Sequence, residues 1–164
     1  MGVEASRTAR TPRTWRERVW LLDSPAGLAS IVATAVVLRL VLAPHFGFYG
    51  DLRYFRIWAD RLRYTGFGRF YDPQTFFCDY PPGYLYILSI LGKIQHSPSY
   101  QVLKLPILLG DLLLAWCAAL LAHRLAPDAL KRRLPVRALV LVGVLFNPAV
   151  LGIGAIWGQV DSVP

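Results

Sequence analysis

Tyr49-Gly50-Asp51 and Asp79-Tyr80-Pro81-Pro82 mark the two ends of a polar, aromatic segment that lies between two apolar runs. The run before this segment ends at Pro44, and the run after it starts near Tyr84. Each end of the segment therefore carries a carboxylate close to apolar sequence, where a charged group is costly to place. These two acidic residues are the first candidates for a functional site.

The composition of the chain indicates an integral membrane protein. Its 164 residues are 55% hydrophobic, whereas soluble domains average about 45–50% apolar, and the excess here is concentrated in long runs. The net charge of the chain is +8, but its basic residues do not form one stripe. They cluster at 7–18, after Asp51 and at 124–137. That distribution suits orientation in a membrane and argues against nucleic acid as a partner.

The start of the chain predicts a basic tail followed by a first membrane span. Residues 1–23 are rich in arginine, which is typical of a cytoplasmic end, and residues 24–164 form the transmembrane module. Ser24-Pro25 is a favourable helix start, since serine accepts hydrogen bonds from free amides and proline fits the first helical position. The helix 26–43 is about long enough to span. We expect its one charge, Arg39, to extend to the interface.

The segment after the first span predicts two helices that do not cross the membrane. From 51 to 65, Phe55, Trp58 and Leu62 recur at helical spacing opposite an arginine-rich face. Such a helix is typical of the membrane interface, and the alternative is a helix packed on a neighbouring protein surface. The second helix, 83–94, is too short to cross a hydrocarbon core of ~30 Å. It is therefore predicted to be a juxtamembrane helix on the same side.

Two further runs, 102–121 and 138–157, are predicted to span. The second of them is expected to bend at Asn147-Pro148, because proline removes a helical hydrogen bond. The predicted fold is an all-α integral membrane protein with about three transmembrane helices. An external loop holds the amphipathic interfacial helix and the juxtamembrane helix. The basic residues at 124–137 then face the cytoplasm, as does the N-terminus.

This topology brings Asp51, Asp79 and Asp161 to the extracytoplasmic side of the membrane, which we expect to be the plasma membrane of a prokaryote. A new apolar segment begins near Pro164, so we also expect the chain to be the N-terminal portion of a longer protein. Trp157 and the tyrosines are interpreted as interface anchors.

Asp51 is the strongest candidate for chemistry, since a carboxylate can act as a general base. The alternative is that Asp51 caps the helix it begins. Asp79 likewise has two interpretations, a cap of the juxtamembrane helix or a contact with the substrate. Lys104 and Asp111 share a helix face. Lys104 lies near the outer end, where it can meet a lipid phosphate, whereas Asp111 is deeper and needs a partner or a function. The histidines show no metal-ligand spacing, so no metal site is predicted.

These motifs together resemble the start of the GT-C glycosyltransferases. They are similar in particular to the endoplasmic-reticulum dolichyl-phosphate-glucose glucosyltransferases and to related bacterial polyprenyl-phosphate-sugar transferases. The resemblance covers most of residues 24–164. The motifs that carry it are, in chain order, Tyr49-Gly50-Asp51, Asp79-Tyr80-Pro81-Pro82, Leu103-Lys104 with Asp111, Phe146-Asn147-Pro148 and Trp157-Gly158-Gln159-Val160-Asp161-Ser162.

The resemblance implies a hexosyltransferase that uses a polyprenyl-phosphate-linked sugar and inverts the anomeric carbon. Asp51 would activate the hydroxyl of an unidentified glycan, lipid or protein acceptor. No cofactor is required, because the leaving group is already a phosphate that cationic side chains can stabilise. The resemblance also implies that Asp79 and Tyr80 help shape the donor or acceptor pocket. The cationic candidates for the leaving phosphate are Arg53, Arg56 and Lys104, and Gln159 and Asp161 are further candidate substrate-binding residues.

Two other functions stay open. One is a non-catalytic scaffold or binding protein that keeps the same fold without turnover. The other is a transporter in which Asp111 serves as an ion or proton site, since ionisable residues inside spans often mark such pathways.

Overall fold

The structure, a computed structural model, describes residues 19–45, 47–72, 78, 80 and 82–158, and these residues form helices without a β-strand. In chain order the helices are α1 (Pro25–Leu42), α2 (Tyr49–Thr65), α3 (Pro82–Ile94), α4 (Tyr100–Leu125), α5 (Asp128–Lys131), α6 (Val136–Leu145) and α7 (Pro148–Val150). A 3-10 turn, Phe67–Arg69, follows α2, and a π-helical segment, Leu151–Trp157, continues α7. The all-α prediction is confirmed for the described residues.

Helices α1 and α4 are each long and apolar enough to cross a membrane. Helix α6, α7 and the π-helical segment together are also apolar enough to cross a membrane. The part before Asn147 and the part after it are bent by 43° relative to each other. The bend lies at Asn147-Pro148, as predicted. There the side chain of Asn147 accepts a hydrogen bond from the amide of Ala149 at 2.8 Å, and Pro148 starts the new helix.

One end of the bundle is held together around the start of α1. The Ser24 hydroxyl accepts a hydrogen bond from the amide of Gly27 at 3.1 Å, which confirms the predicted cap. Next to it, the Asp23 carboxylate accepts hydrogen bonds from Arg137 Nε at 3.3 Å and from the amide of Ala138 at 3.0 Å. The first amides of a helix need acceptors from outside it, so Asp23 fixes the start of α6 beside the start of α1.

Helix α4 runs through two hydrophobic cores. The core between α1, α6 and the C-terminal half of α4 contains many small side chains, which let membrane helices approach closely. Its buried members are Leu28, Ala35, Ala115, Ala119, Ala138, Leu141 and Leu145. The core between α2, α3 and the N-terminal half of α4 is richer in large and aromatic side chains. Its members are Leu52, Phe55, Trp58, Ala59, Leu62, Phe70, Tyr84, Leu85, Leu88, Leu103 and Ile107.

The apolar face of α2 packs on protein. Phe55, Trp58 and Leu62 are 0%, 2% and 2% exposed, because α3 and the first half of α4 cover them. The prediction that these side chains rest in the membrane interface is therefore wrong, and the alternative of a helix packed on a neighbouring protein surface is confirmed. The helical period identifies an apolar face but does not distinguish lipid from another helix.

The polar face of α2 also binds the protein. The Asp60 carboxylate accepts hydrogen bonds from the Ser97 amide at 2.9 Å and from the Ser97 hydroxyl at 2.7 Å. Arg63 donates from Nη1 to the carbonyl oxygen of Gly92 at 3.0 Å. Ser97 has a φ of 47°, an unfavourable conformation for a residue with a side chain. The two bonds to Asp60 stabilise that conformation and hold the end of α3 against α2.

Gly92 lies where the backbones of α3 and α2 approach most closely. A Cβ at this position would be 2.5 Å from the carbonyl oxygen of Ala59. Because that oxygen belongs to a helix backbone, Gly92→Ala is expected to push the two helices apart and to destabilise the protein by ~1–3 kcal/mol. Gly68→Ala is the control, since a Cβ there meets no atom within 4 Å. Unfolding in detergent measures both variants, and equal stability would contradict this packing.

Candidate functional site

Asp51 lies in the first turn of α2 and is partly exposed. The helix begins at Tyr49, two residues earlier than predicted, and Phe48 occupies the N-cap position without a side-chain hydrogen bond. Asp51 is thus the third helical residue, so the alternative that it caps the helix it begins is wrong. Its negative charge still lies at the positive end of the helix dipole.

Trp157 contacts Asp51 from the end of the π-helical segment. Its indole Nε1–H donates to Asp51 Oδ2 at 3.4 Å. The amide of Phe48 donates to the carbonyl oxygen of Trp157 at 3.0 Å, and the rings of Phe48 and Trp157 are 5.1 Å apart. The structure therefore brings together two of the motifs identified in the sequence, and Trp157 is more than an interface anchor.

Lys104 is buried at the same end of the bundle. Its Nζ donates to the carbonyl oxygens of Ala43 at 3.0 Å, Ala155 at 3.0 Å and Ile156 at 3.2 Å. An ammonium group has three N–H donors, and these carbonyls engage them. The prediction that Lys104 meets a lipid phosphate is therefore wrong. The side chain holds the end of α1 and the π-helical segment together.

Arg39 and Asp111 form a buried ion pair between α1 and α4. The distance from Arg39 Nε to Asp111 Oδ2 is 3.3 Å, and the side chains are 3% and 4% exposed. The prediction that Arg39 extends to the interface is wrong, and Asp111 has the partner that a buried acid needs. The sequence carried a signal for this pair, namely charges of opposite sign within two different spans, each of which requires a counterpart.

A cavity of about 190 Å³ lies beside this pair, between α1, α4 and the π-helical segment. Its lining is mostly apolar but includes Arg39, Asp111 and Lys104. Nη2 of Arg39 is buried and has no hydrogen-bond partner among the described residues. A Cβ at Gly154 would be 2.8 Å from Asp111 Oδ2. A glycine at this position thus lets the π-helical segment approach the ion pair.

The other predicted substrate contacts that the structure describes lie on α2 or beside it. Arg56 donates from Nη2 to the Tyr100 hydroxyl at 3.2 Å, and its guanidinium carbon is 4.8 Å from the Tyr100 ring centre. Arg53 is exposed. The Tyr80 ring is 5.4 Å from that of Phe55, so it packs against the aromatic core of α2 and α3.

Tyr84 carries a buried hydroxyl that the sequence interpretation did not single out. Its ring is 5.0 Å from that of Phe55, and its hydroxyl has no hydrogen-bond partner within the described part of the chain. Burial raises the pKa of the Tyr84 phenol well above its usual range, and the neighbouring Tyr80 raises it further. The group therefore stays protonated at physiological pH and can act as a donor but not as a base.

Asp79, Gln159 and Asp161 lie outside the described residues. The meeting of Asp79 and Asp161 with Asp51 therefore stays a prediction. Among the residues that the structure describes, no three histidine, cysteine or acidic side chains come close enough to hold a metal ion.

No family model, curated protein or solved structure matches the chain. The resemblance to the GT-C glycosyltransferases thus rests on the sequence motifs alone. The feature that the structure adds is the contact between Asp51 and Trp157, which lie 106 residues apart in the chain.

Proposed function

We propose that the chain belongs to a membrane glycosyltransferase that moves a hexose from a polyprenyl-phosphate carrier to an extracytoplasmic acceptor. The observation that carries this proposal is the contact between Asp51 and Trp157. It joins two motifs of the GT-C resemblance at a carboxylate that solvent can reach. A partly exposed carboxylate next to an apolar bundle suits a general base that acts on a membrane-bound substrate.

In the proposed reaction Asp51 takes the proton of the acceptor hydroxyl. The hydroxyl oxygen attacks the anomeric carbon as the bond from that carbon to the carrier phosphate breaks, and the phosphate leaves with the bonding electrons. Exposed aromatic rings lie around this carboxylate at Phe48, Tyr49 and Trp157. The C–H faces of a sugar ring can pack on such rings, and Tyr and Trp also offer polar groups.

The leaving phosphate requires donors that are not already used. Arg56 makes one hydrogen bond to Tyr100 through Nη2, and a guanidinium has five N–H donors, so most of them remain for a phosphate. Arg53 is exposed and lies two residues after Asp51 on α2. Lys104 is no longer a candidate, because backbone carbonyls engage its ammonium group.

We also propose that α1, α4 and the bent segment from α6 to Trp157 cross the membrane, with α2 and α3 on the extracytoplasmic side. Asp23 and Arg137 contact each other at one end of the bundle, and Ala43, Lys104 and Ala155 meet at the other. The successive segments therefore alternate in direction. The basic residues at 7–18 and 124–137 then adjoin the Asp23 end in the chain, which the positive-inside rule assigns to the cytoplasm.

Single cysteines at Ser97 and Ala129 test this topology. Both positions are exposed, and the background carries serine in place of Cys78 and Cys117. A membrane-impermeant thiol reagent is expected to label Ser97→Cys in intact cells, and to label Ala129→Cys only after the membrane is permeabilised. The reverse pattern would contradict the topology.

Sugar transfer by the full-length protein tests the function itself. The purified protein is reconstituted in vesicles with a labelled polyprenyl-phosphate hexose and membrane-derived acceptors, and the product is followed by its label. Transfer that depends on Asp51 supports the proposal. A folded protein that binds the donor but gives no transfer favours a scaffold or binding protein. Proton- or ion-coupled uptake into vesicles would instead support the transporter alternative, in which the Arg39–Asp111 pair would be the ion or proton site.

A further inference from the structure

Trp157 is held in place more firmly than an interface anchor requires. Its backbone carbonyl is bonded to the amide of Phe48, and the two carbonyls before it are those of Ala155 and Ile156, which Lys104 binds. These three hydrogen bonds, one from Phe48 and two from Lys104, therefore fix the end of the π-helical segment relative to α2 and α4. An aromatic side chain that only anchors a helix at an interface needs none of them.

Gly158 determines where the π-helical segment ends. Its φ is 88°, a left-handed conformation that glycine adopts without strain. Its amide donates to the carbonyl oxygen of Ile153 at 2.9 Å, which closes the last turn directly after Trp157. A Cβ at Gly158 would be 3.1 Å from Leu52 Cδ2, so the turn also packs closely against α2. The side chain of Trp157 thus starts from a rigid backbone position beside Asp51.

We propose that Trp157 is the positioning residue of Asp51. Its indole N–H binds Oδ2 of the carboxylate, whereas Oδ1 has no hydrogen-bond partner among the described residues. One oxygen is therefore held by the protein, and the other is available to accept a proton from a hydroxyl group. The catalytic part of this inference rests on the proposed glycosyltransferase function, but the positioning contact does not.

The chemistry of indole suits this role. An indole N–H is a donor only and does not titrate, so it can hold a carboxylate without exchanging a proton with it. A hydroxyl or an imidazole in the same place would also offer an acceptor and compete for the proton. A general base must be within hydrogen-bond reach of the hydroxyl it activates, and small errors in placement lower the rate strongly. Restricting the rotation of an otherwise exposed carboxylate therefore favours catalysis.

The contact can be tested without any enzymatic activity. The chain has five tryptophans, so residues 1–164 contribute a small set of indole N–H resonances to the spectrum of the ¹⁵N-labelled full-length protein. The resonance that is missing in Trp157→Phe is that of Trp157. We expect this resonance to lie downfield, because the N–H is bonded to a carboxylate, and to move upfield in Asp51→Ala. Asp60→Ala is the matched control, since Asp60 lies on the same helix but binds Ser97. An unchanged Trp157 resonance in Asp51→Ala would overturn the contact.

The effect on catalysis separates positioning from packing. Trp157→Phe keeps a ring that can pack on Phe48 but removes the N–H, so kcat is expected to fall by roughly 10- to 100-fold with little change in KM. Trp116→Phe, at an exposed position on α4, is expected to change neither. If the wild-type protein transfers sugar and Trp157→Phe transfers it at the same rate, the positioning role would be overturned. If the wild-type protein transfers no sugar, the proposed function fails, while the indole resonances still decide the contact.

Discussion

Replacing Asp51 by asparagine is expected to lower the rate of sugar transfer by roughly 10²- to 10⁴-fold. Asparagine keeps the shape of the side chain and can still accept a hydrogen bond from Trp157. It has no ionised oxygen, however, to take the proton of the acceptor hydroxyl. Because only a transition-state role is lost, kcat falls while substrate binding survives. Initial rates of labelled sugar transfer by the reconstituted full-length protein measure the effect.

Asp60→Asn is the matched control for this substitution. Asp60 lies on the same helix, but its carboxylate binds the amide and hydroxyl of Ser97, so the variant is expected to lose stability and to keep its turnover per folded molecule. Near-normal turnover by Asp51→Asn would place the base elsewhere, with Asp79 and then Asp161 as the next acids to substitute. If each of these three single substitutions left turnover intact, the catalytic interpretation would have to be abandoned.

Removing Asp111 alone is expected to destabilise the protein by ~3–5 kcal/mol, because it leaves the Arg39 guanidinium as a buried charge without its partner. The variant Asp111→Ala shows this loss as a lower unfolding midpoint in detergent. Replacing both residues together, as Arg39→Met with Asp111→Leu, is expected to restore most of the stability. Apolar substitutes for a buried ion pair are often neutral or stabilising.

The comparison between the single and double variants is the decisive measurement. An interaction between two side chains in contact makes their effects non-additive, so the double variant should be more stable than Asp111→Ala. The cycle also needs the single variants Arg39→Met and Asp111→Leu, and a double variant that loses the sum of their two losses would show that the pair does not interact. Arg132→Met controls for the loss of a positive charge, since Arg132 is exposed.

The positions of the helices follow closely from local sequence signals. The predicted bounds 26–43, 51–65 and 83–94 differ by at most two residues from those of α1, α2 and α3. Ser24 acts at the start of α1 as expected, by accepting an amide hydrogen bond, and Gly66 ends α2 through a positive φ of 64°. Caps and breaks depend on neighbouring residues, so a sequence alone contains the information that they require.

The surroundings of each helix face do not follow from local signals. The same apolar period of α2 suits lipid or protein, and the choice depends on α3, whose residues lie about thirty positions later in the chain. Lys104 and Arg39 show the same limit, because a charged side chain near a helix end can extend outwards or bind inside. Lys104 binds inside because carbonyl oxygens outside its own helix accept its hydrogen bonds. Arg39 binds inside because the Asp111 carboxylate is its partner.

The candidate site was predictable in part. Asp51 is identifiable as an acidic residue just after an apolar run, without any knowledge of the fold. Its contact with Trp157 depends on the bend at Asn147-Pro148 and on the π-helical segment that follows. The proline signals the bend, but the contacts of the segment after it, such as the close approach of Gly154 to Asp111, involve another helix. That packing is a tertiary property.

The carbonyl oxygens around Lys104 also impose an order on membrane assembly. Ala43 is synthesised before Lys104, whereas Ala155 and Ile156 follow it by 51 and 52 residues. When α4 leaves the ribosome, the Lys104 ammonium group therefore lacks the two carbonyl acceptors that Ala155 and Ile156 later supply. Unfilled donors of an ammonium group are costly in an apolar environment, so we expect the junction of α1 and α4 at Lys104 to gain stability when the last segment is inserted.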